Sequence, residues 1–161
     1  MIDLDALGLG AECLVLLDSA PLIYLVEGGT AARASVLRAF LEAAERGRIR
    51  LVASTMLWAE VLTRPRAVAE PDLAAAYRRL LSDSASIVLA PVDVAVAEEA
   101  ARLLGGDGHL ELADALHLAT ASVLGVGAIL TNDEAWKAKA RGIQKDPGKP
   151  RVLLVDELAW T

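Results

Sequence analysis

The sequence contains little cysteine and few aromatic residues. Cys13 is the single cysteine among 161 residues, and aromatic side chains make up 4% of the chain. One cysteine cannot form an internal disulfide, which excludes a small secreted scaffold held together by disulfides. The chain also does not open with a basic stretch followed by a short apolar run, so we expect no secretion signal. These absences predict a protein of the reducing cytoplasm.

Long uncharged runs are also scarce. The longest, from Ala115 to Asn132, has 18 residues, which only reaches the lower length limit for a membrane span. Its polar residues and a change of period at Gly125 indicate a buried helix followed by a buried strand, so we predict no membrane segment. Apolar residues make up 55% of the chain, enough to exclude intrinsic disorder. The length predicts a single domain over residues 1–161.

Acidic residues outnumber basic ones by 22 to 16, which gives a formal net charge of -6. This balance argues against a protein that binds nucleic acid with its whole surface. Basic residues nevertheless cluster in several short segments of the sequence. A basic face can therefore coexist with an acidic total.

Short runs rich in Val, Ile and Leu alternate with Ala- and Leu-rich segments of helical spacing. The runs predict five strands, at Cys13 to Leu17, Ile49 to Ala53, Ile87 to Ala90, Val126 to Leu130 and Val152 to Val155. The other segments predict helices, at Ala31 to Arg46, Thr55 to Leu62, Leu73 to Leu81, Val94 to Leu104 and Leu112 to Leu124. The strands are continuously apolar, as strands covered on both faces are. The pattern therefore predicts an α/β protein, a three-layer α/β/α sandwich around a central, mostly parallel sheet of about five strands.

Three apolar segments each contain a single carboxylate. Asp18 follows the first predicted strand, Glu60 lies in the helix after the second, and Asp114 is in the first turn of the last helix. A fourth acid, Asp133, follows the fourth strand and precedes Glu134. Burial of an unpaired carboxylate is costly, and the segments offer no basic residue to compensate it. Convergence of the four acids on a shared cation at the carboxyl edge of the sheet would do so, and an all-oxygen site suits Mg²⁺ or Mn²⁺.

Each acid also has an ordinary structural explanation. Asp18 would cap a short helix, and Asp114 would interact favourably with the dipole of its own helix. Glu60 would pair with Arg64 four residues later, and Asp133 would begin a turn. Since four such coincidences are needed at once, the pattern favours the shared cation.

Three other side chains lie near these acids in the sequence. Ser19 and Thr131 are close enough to Asp18 and Asp133 for their hydroxyls to orient the carboxylates. His117 follows Asp114 by three residues on the same helical face. For His117 we expect a hydrogen-bonded histidine at the edge of the core.

Four segments resemble the PIN domain family, and within it the VapC-like toxin ribonucleases of toxin–antitoxin pairs. They are LVLLDSAPLIYL from Leu14, STMLWAEVL from Ser54, LADALHLATA from Leu112 and ILTNDEAW from Ile129. They come in the family's order and spacing, and the resemblance extends from about Cys13 to Val155. It implies a metal-dependent endoribonuclease that hydrolyses RNA phosphodiester bonds, the toxin of a type II toxin–antitoxin system.

The resemblance also implies the roles of individual residues. Asp18, Glu60, Asp114 and Asp133 match the family's catalytic acids, which hold one or two Mg²⁺ or Mn²⁺ ions, and Glu134 would supplement or replace Asp133. Ser19 and Thr131 match positions that usually carry a hydroxyl. Candidate contacts to the RNA backbone are Arg64, Arg66, Lys137 and Lys139. A homodimer and a cognate antitoxin are further implications, with apolar helix surfaces in the N-terminal half as the expected contact.

Other functions remain alternatives at this stage. The same residues are compatible with a non-catalytic PIN-like nucleic-acid-binding or scaffold module, and with a nuclease that cuts DNA. A phosphatase of the haloacid dehalogenase type is disfavoured because it needs a second aspartate where Ala20 stands. A phosphorylatable receiver domain is disfavoured because Asp133 is followed by Glu134 and Ala135 where such a domain has a lysine.

Overall fold

A five-stranded sheet lies at the centre of the computed structural model, which describes residues 2–64, 69–106, 110–143 and 150–159. Its strands are β1 (Cys13–Leu17), β2 (Ile49–Ser54), β3 (Ile87–Ala90), β4 (Ala128–Thr131) and β5 (Arg151–Leu154). They are ordered β3-β2-β1-β4-β5, and each neighbouring pair is parallel. The prediction of an α/β protein with a parallel sheet is therefore confirmed. The carboxyl ends of all five strands lie along one edge.

Helices connect the strands. They are α1 (Ser19–Ile23), α2 (Ala31–Glu45), α3 (Thr55–Thr63), α4 (Pro71–Arg78), α5 (Val94–Gly106), α6 (Leu112–Leu124), α7 (Trp136–Lys139) and α8 (Val155–Ala159). Single π-helical turns extend α1 and α4, over Tyr24–Gly28 and Arg79–Asp83, and a 3₁₀ turn, Ala140–Gly142, follows α7. No helix in the described ranges is long and apolar enough to cross a membrane.

Alternate residues of the strands belong to two separate hydrophobic cores. On β1, Val15 and Leu17 pack in one core with Phe40 of α2, and Leu16 packs in the other with Leu118 of α6. Successive side chains of a strand point to opposite faces of its sheet. A helical layer therefore covers each face, which explains why the strand segments read as continuously apolar.

The predicted element ends differ from the observed ones at a few places. The strand expected from Val126 begins at Ala128, because Gly125 adopts a left-handed conformation (φ 66°) that ends α6. The amide of Val126 donates to the carbonyl of Ala121, so Val126 still belongs to the helix cap. The strand expected to end at Val155 ends one residue earlier, since Val155 begins α8.

Candidate metal and active site

Asp18 lies where β1 meets its neighbour β4. Its amide donates to the carbonyl of Leu130 (3.0 Å), which prolongs the β1–β4 ladder by one bond. Its Oδ1 accepts from the amide of Ser19 (2.8 Å), and its Oδ2 accepts from the hydroxyl of Thr131 (2.5 Å). The residue is 9% exposed. Asp18 therefore caps α1, as its ordinary explanation required, and also presents a buried carboxylate at the carboxyl edge of the sheet.

Within the described part of the chain, the charged groups that influence the Asp18 carboxylate are His117 and Glu60, and neither is a lysine or an arginine. Burial raises its pKa above the ordinary value, although the hydrogen bonds from Thr131 and Ser19 act in the opposite direction. The neighbouring His117 also lowers this pKa, whereas Glu60 raises it. A divalent ion beside Asp18 would stabilise the charged form that burial disfavours.

Glu60 lies beside Asp18 but comes from a different layer. The hydroxyl of Ser54 caps the start of α3 by accepting from the amide of Met56 (3.1 Å), and Glu60 is on the second turn of that helix. Its Oε2 lies 2.9 Å from Nε2 of His117 on α6. The expected pairing of Glu60 with Arg64 is wrong, because the Arg64 guanidinium binds Glu27 instead (2.9 Å).

His117 is the hydrogen-bonded histidine that the sequence predicts, and its partner makes it part of the site. In the tautomer that carries its proton on Nε2, the imidazole donates this hydrogen bond to the Glu60 carboxylate. The ring is 1% exposed, and Nδ1 has no partner among the described residues. One ligand atom each of Asp18, Glu60 and His117 lies within 4.8 Å of the other two. This group therefore has the spacing of a metal site.

Asp114 and Asp133 are joined by a lysine. Nζ of Lys139 lies 2.7 Å from Oδ2 of Asp114 and 3.4 Å from Oδ2 of Asp133. Burial lowers the pKa of Lys139, but its bonds to the two acids outweigh that effect and leave the pKa above its ordinary value. The same lysine lies 6.0 Å from the ring centre of Trp136, which is buried in the core. Lys139 was expected to contact RNA, and in this structure it contacts two of the four acids.

The loop after β4 connects the two halves of the site. Thr131 uses its hydroxyl to donate to Asp18 and to accept from the amide of Asp133 (3.1 Å). Oδ1 of Asp133 in turn accepts from the amide of Ala135 (2.9 Å), which is the turn that the sequence allowed. The Thr131 hydroxyl therefore contacts the carboxylate of Asp18, whereas the sequence placed it beside the carboxylate of Asp133. The contact between Ser19 and Asp18 comes from the Ser19 backbone.

Sequence reasoning missed Asn132. Its side-chain amide donates to the Tyr24 hydroxyl (3.0 Å) and to Asp156 (3.1 Å), and its Oδ1 accepts from the Asp156 amide (3.0 Å). Arg33 binds the same Asp156 carboxylate through two N–H groups, at 2.6 and 2.8 Å. This network fixes the loop that carries Thr131. The only sequence signal for it was a polar residue inside the uncharged run.

The remaining predicted residues lie apart from this cluster. Lys137 pairs with Glu157 (2.7 Å) on the exposed side of α7. Glu134 is exposed, and the group of potential ligands found among the described residues does not include it. Arg66 lies outside the described residues. The structure thus brings together Asp18, Glu60 and His117 and separately a lysine-bridged pair of acids, Asp114 and Asp133.

Acid–base behaviour of Asp18 gives a stability prediction for the metal-free protein. Because the folded-state pKa is raised, the native state binds more protons than the unfolded state between the two pKa values. Stability therefore falls as pH rises through that window. Asparagine does not ionise, so the variant Asp18→Asn does not lose stability in this way. Its melting temperature is expected to lie a few degrees above that of the wild type at pH 7 and close to that of the wild type in mild acid. Thermal melts in chelator across pH 4 to 8 measure this; parallel curves would contradict it.

Comparison with known proteins identifies the family. The family model described as the PIN domain matches residues 15–142. The chain belongs to the PIN domain family. No curated protein matches the sequence.

Solved structures share the fold at low sequence identity. FitAcB from Neisseria gonorrhoeae is 18% identical with a TM-score of 0.62, over 89% of this chain and 99% of that one. VapBC2 from Rickettsia felis, bound to a DNA fragment from the promoter, is 11% identical with a TM-score of 0.61, over 88% and 98%. A toxin–antitoxin complex from Klebsiella pneumoniae is 20% identical with a TM-score of 0.57, over 88% and 97%.

Proposed function

We propose that this PIN domain protein is a metal-dependent endoribonuclease and the toxin of a type II toxin–antitoxin pair, acting in the cytoplasm. The observation that carries the proposal is the arrangement of the four acids at the carboxyl edge of the sheet. Thr131 connects Asp18 to the Asp133 loop, and α6 carries both Asp114 and the histidine that binds Glu60. The ordinary structural explanations, a helix cap at Asp18 and a turn at Asp133, do not require these contacts between separate elements.

The residues fit a hard divalent cation. Carboxylate oxygens are the ligands that Mg²⁺ and Mn²⁺ prefer, and Asp18 and Glu60 approach closely without a lysine or arginine between them. A bound ion would polarise the phosphate and make a water more acidic for in-line attack. Asp18 and Glu60 would hold that ion, with Thr131 and His117 fixing the orientation of their carboxylates. No protein nucleophile is required.

A basic groove next to Lys139 supports a polyanionic substrate. It has a volume of about 330 Å³ and is lined by Arg102, Leu103, Gly106, Leu110, Ala138, Lys139, Arg141 and Gly142. Of its three basic residues, Arg102 is paired with Glu99 (2.7 Å) and Lys139 with Asp114 (2.7 Å), whereas Arg141 is exposed. Arg64 and Lys137 are likewise each paired with a glutamate, so we transfer the proposed RNA backbone contact from them to Arg141.

An antitoxin partner and a homodimer are part of the same proposal. The solved relatives include toxin–antitoxin complexes, which supports the partner. Among the described residues, the exposed large apolar side chains are Val88, Val92, Val94, Leu112 and Leu124. They lie in the second half of the chain, so the expected contact through the N-terminal half receives no support from exposure.

The experiment is cleavage of total cellular RNA by the purified protein alone, with Mg²⁺, Mn²⁺ or EDTA. We expect discrete cuts that require metal and disappear in Asp18→Asn. The matched control is Asp5→Asn, which removes an exposed carboxylate paired with Arg48 and should cleave as the wild type does.

Two outcomes would replace the proposal. Metal-dependent cleavage of single- or double-stranded DNA, with RNA left intact, would establish the DNA nuclease. Manganese binding that depends on Asp18 without cleavage of either nucleic acid would favour the non-catalytic binding module. Cuts that persist in EDTA or in Asp18→Asn would show that the carboxylate site is not responsible.

A further inference from the structure

The four acids of the site differ in what neutralises them. Asp18 and Glu60 have a histidine for a neighbour, and their ligand atoms come within 4.8 Å of it. Asp114 and Asp133 have a lysine ammonium between them, at 2.7 and 3.4 Å. A cation thus already bridges one pair of acids, whereas the other pair converges with the histidine at the spacing of metal ligands.

Lys139 is built into this position. It is the last residue of α7, and the first residue of that helix, Trp136, is buried at 2% exposure. The side chain of Lys139 is 22% exposed, and its Nζ lies 6.0 Å from the centre of the Trp136 ring, at the range of a cation–π contact, as well as beside the two acids. The neighbouring Lys137 on the same helix points to Glu157 instead, with 48% of its side chain exposed. Lys139 is therefore not simply one of several surface lysines near an acid.

We propose that Lys139 is an intrinsic counter-ion that occupies the place of a second divalent ion, so that the site holds one such ion, on Asp18 and Glu60. This inference rests on the proposed function, because it concerns the same metal site. The ammonium bridges two carboxylates as a metal would, and it carries three N–H donors. Two of these donors suffice for Asp114 and Asp133, and Lys139 also lines the groove proposed for the substrate backbone.

The test is the number of Mn²⁺ ions bound at neutral pH, counted from the free-ion electron paramagnetic resonance signal during titration. We expect one ion for the wild type and two for Lys139→Met, since methionine is an unbranched side chain of similar length that lacks the ammonium and so frees both acids. Lys139→Arg keeps a cation and should remain at one. Lys137→Met changes the other lysine of the same helix in the same way, and this matched control should also bind one Mn²⁺ ion. Circular dichroism verifies that each variant is folded.

A second measurement compares the Mn²⁺ affinities of two variants in which Lys139 is unchanged. In the otherwise wild-type chain, Asp18→Asn is expected to weaken Mn²⁺ binding at least about tenfold, the size of effect that a disturbed metal shell produces. Asp114→Asn should change it less than threefold. A larger loss of Mn²⁺ affinity in Asp114→Asn than in Asp18→Asn would place the ion on Asp114 and overturn the proposal.

The results separate this inference from the function on which it rests. Two ions in the wild type, or one ion in a folded Lys139→Met, would refute the role of Lys139 while leaving the nuclease intact. No bound manganese in any variant would refute the metal site itself, and the lysine proposal with it.

Discussion

Replacement of Glu60 by glutamine is expected to lower the rate of RNA cleavage by about 10²- to 10³-fold, the loss typical when one group is removed from a preorganised charged site. Glutamine keeps the size of the side chain, and its carbonyl can still accept from Nε2 of His117 at the observed 2.9 Å separation. The substitution therefore removes charge and metal affinity without removing the contact between α3 and α6.

Single-turnover cleavage at a series of Mn²⁺ concentrations measures this effect. If Glu60 holds the ion, part of the lost rate returns at high Mn²⁺, because the remaining ligands are then saturated. Glu42→Gln on α2 is the matched control, since Glu42 is an exposed helical glutamate paired with Arg46 (3.4 Å). A Glu60→Gln variant as fast as the control at limiting metal would restrict Glu60 to a structural contact with His117.

The fold could be predicted from the sequence because each layer leaves a local signal. Strands covered on both faces are continuously apolar, and Leu14 to Leu17 or Ile129 to Leu130 can hardly lie elsewhere than in the core. The end of α6 at Leu124 was predicted correctly, whereas the start of β4 was placed two residues too early. Gly125 marks the end of the helix, but the residue after it closes the helix cap and only later does the strand begin.

The positions of the four acids could be predicted for a related reason. A lone carboxylate in an apolar segment is an anomaly that a single sequence shows, as at Asp18 and Asp114. Strand order then brings residues that follow β1 and β4 to the same edge. Their likeness to the PIN domain pattern predicted the family, and the family match confirms that prediction.

The contacts of Asp18 with Thr131, of Glu60 with His117 and of Asp114 with Lys139 could not be predicted, because the partners lie far apart in the sequence. Glu60 and His117 are 57 residues apart in the sequence and meet through the packing of α3 against α6. Arg64 is one helical turn from Glu60, and this proximity in the sequence wrongly indicated an ion pair between the two. The nearly buried Glu27 carboxylate binds that arginine, since its side chain is only 6% exposed and needs a counter-charge more than Glu60 does.

Thr131→Val tests the hydroxyl that connects the two halves of the site. Valine has nearly the same shape, so the packing of β4 is kept while two hydrogen bonds are lost. Oδ2 of Asp18 loses its 2.5 Å donor, and the amide of Asp133 loses its 3.1 Å acceptor. Without them both carboxylates are less firmly oriented. We expect Mn²⁺ affinity and cleavage to fall by about 10- to 100-fold, as for other residues that position metal ligands.

A conservative substitution at Thr131 separates the positioning role of its hydroxyl from the contribution of the side chain to packing. Thr131→Ser restores the hydroxyl and should recover Mn²⁺ affinity to within a few fold of wild type, although it leaves a small cavity that lowers the melting temperature. Thr120→Val is the matched control, because Thr120 is equally buried but bonds only within α6, to the carbonyl of Leu116 (2.8 Å). Since valine costs stability at both positions, a loss of affinity confined to Thr131→Val shows that its hydroxyl positions the ligands. Equal affinity in Thr131→Val and Thr131→Ser would show instead that the carboxylates are oriented without it.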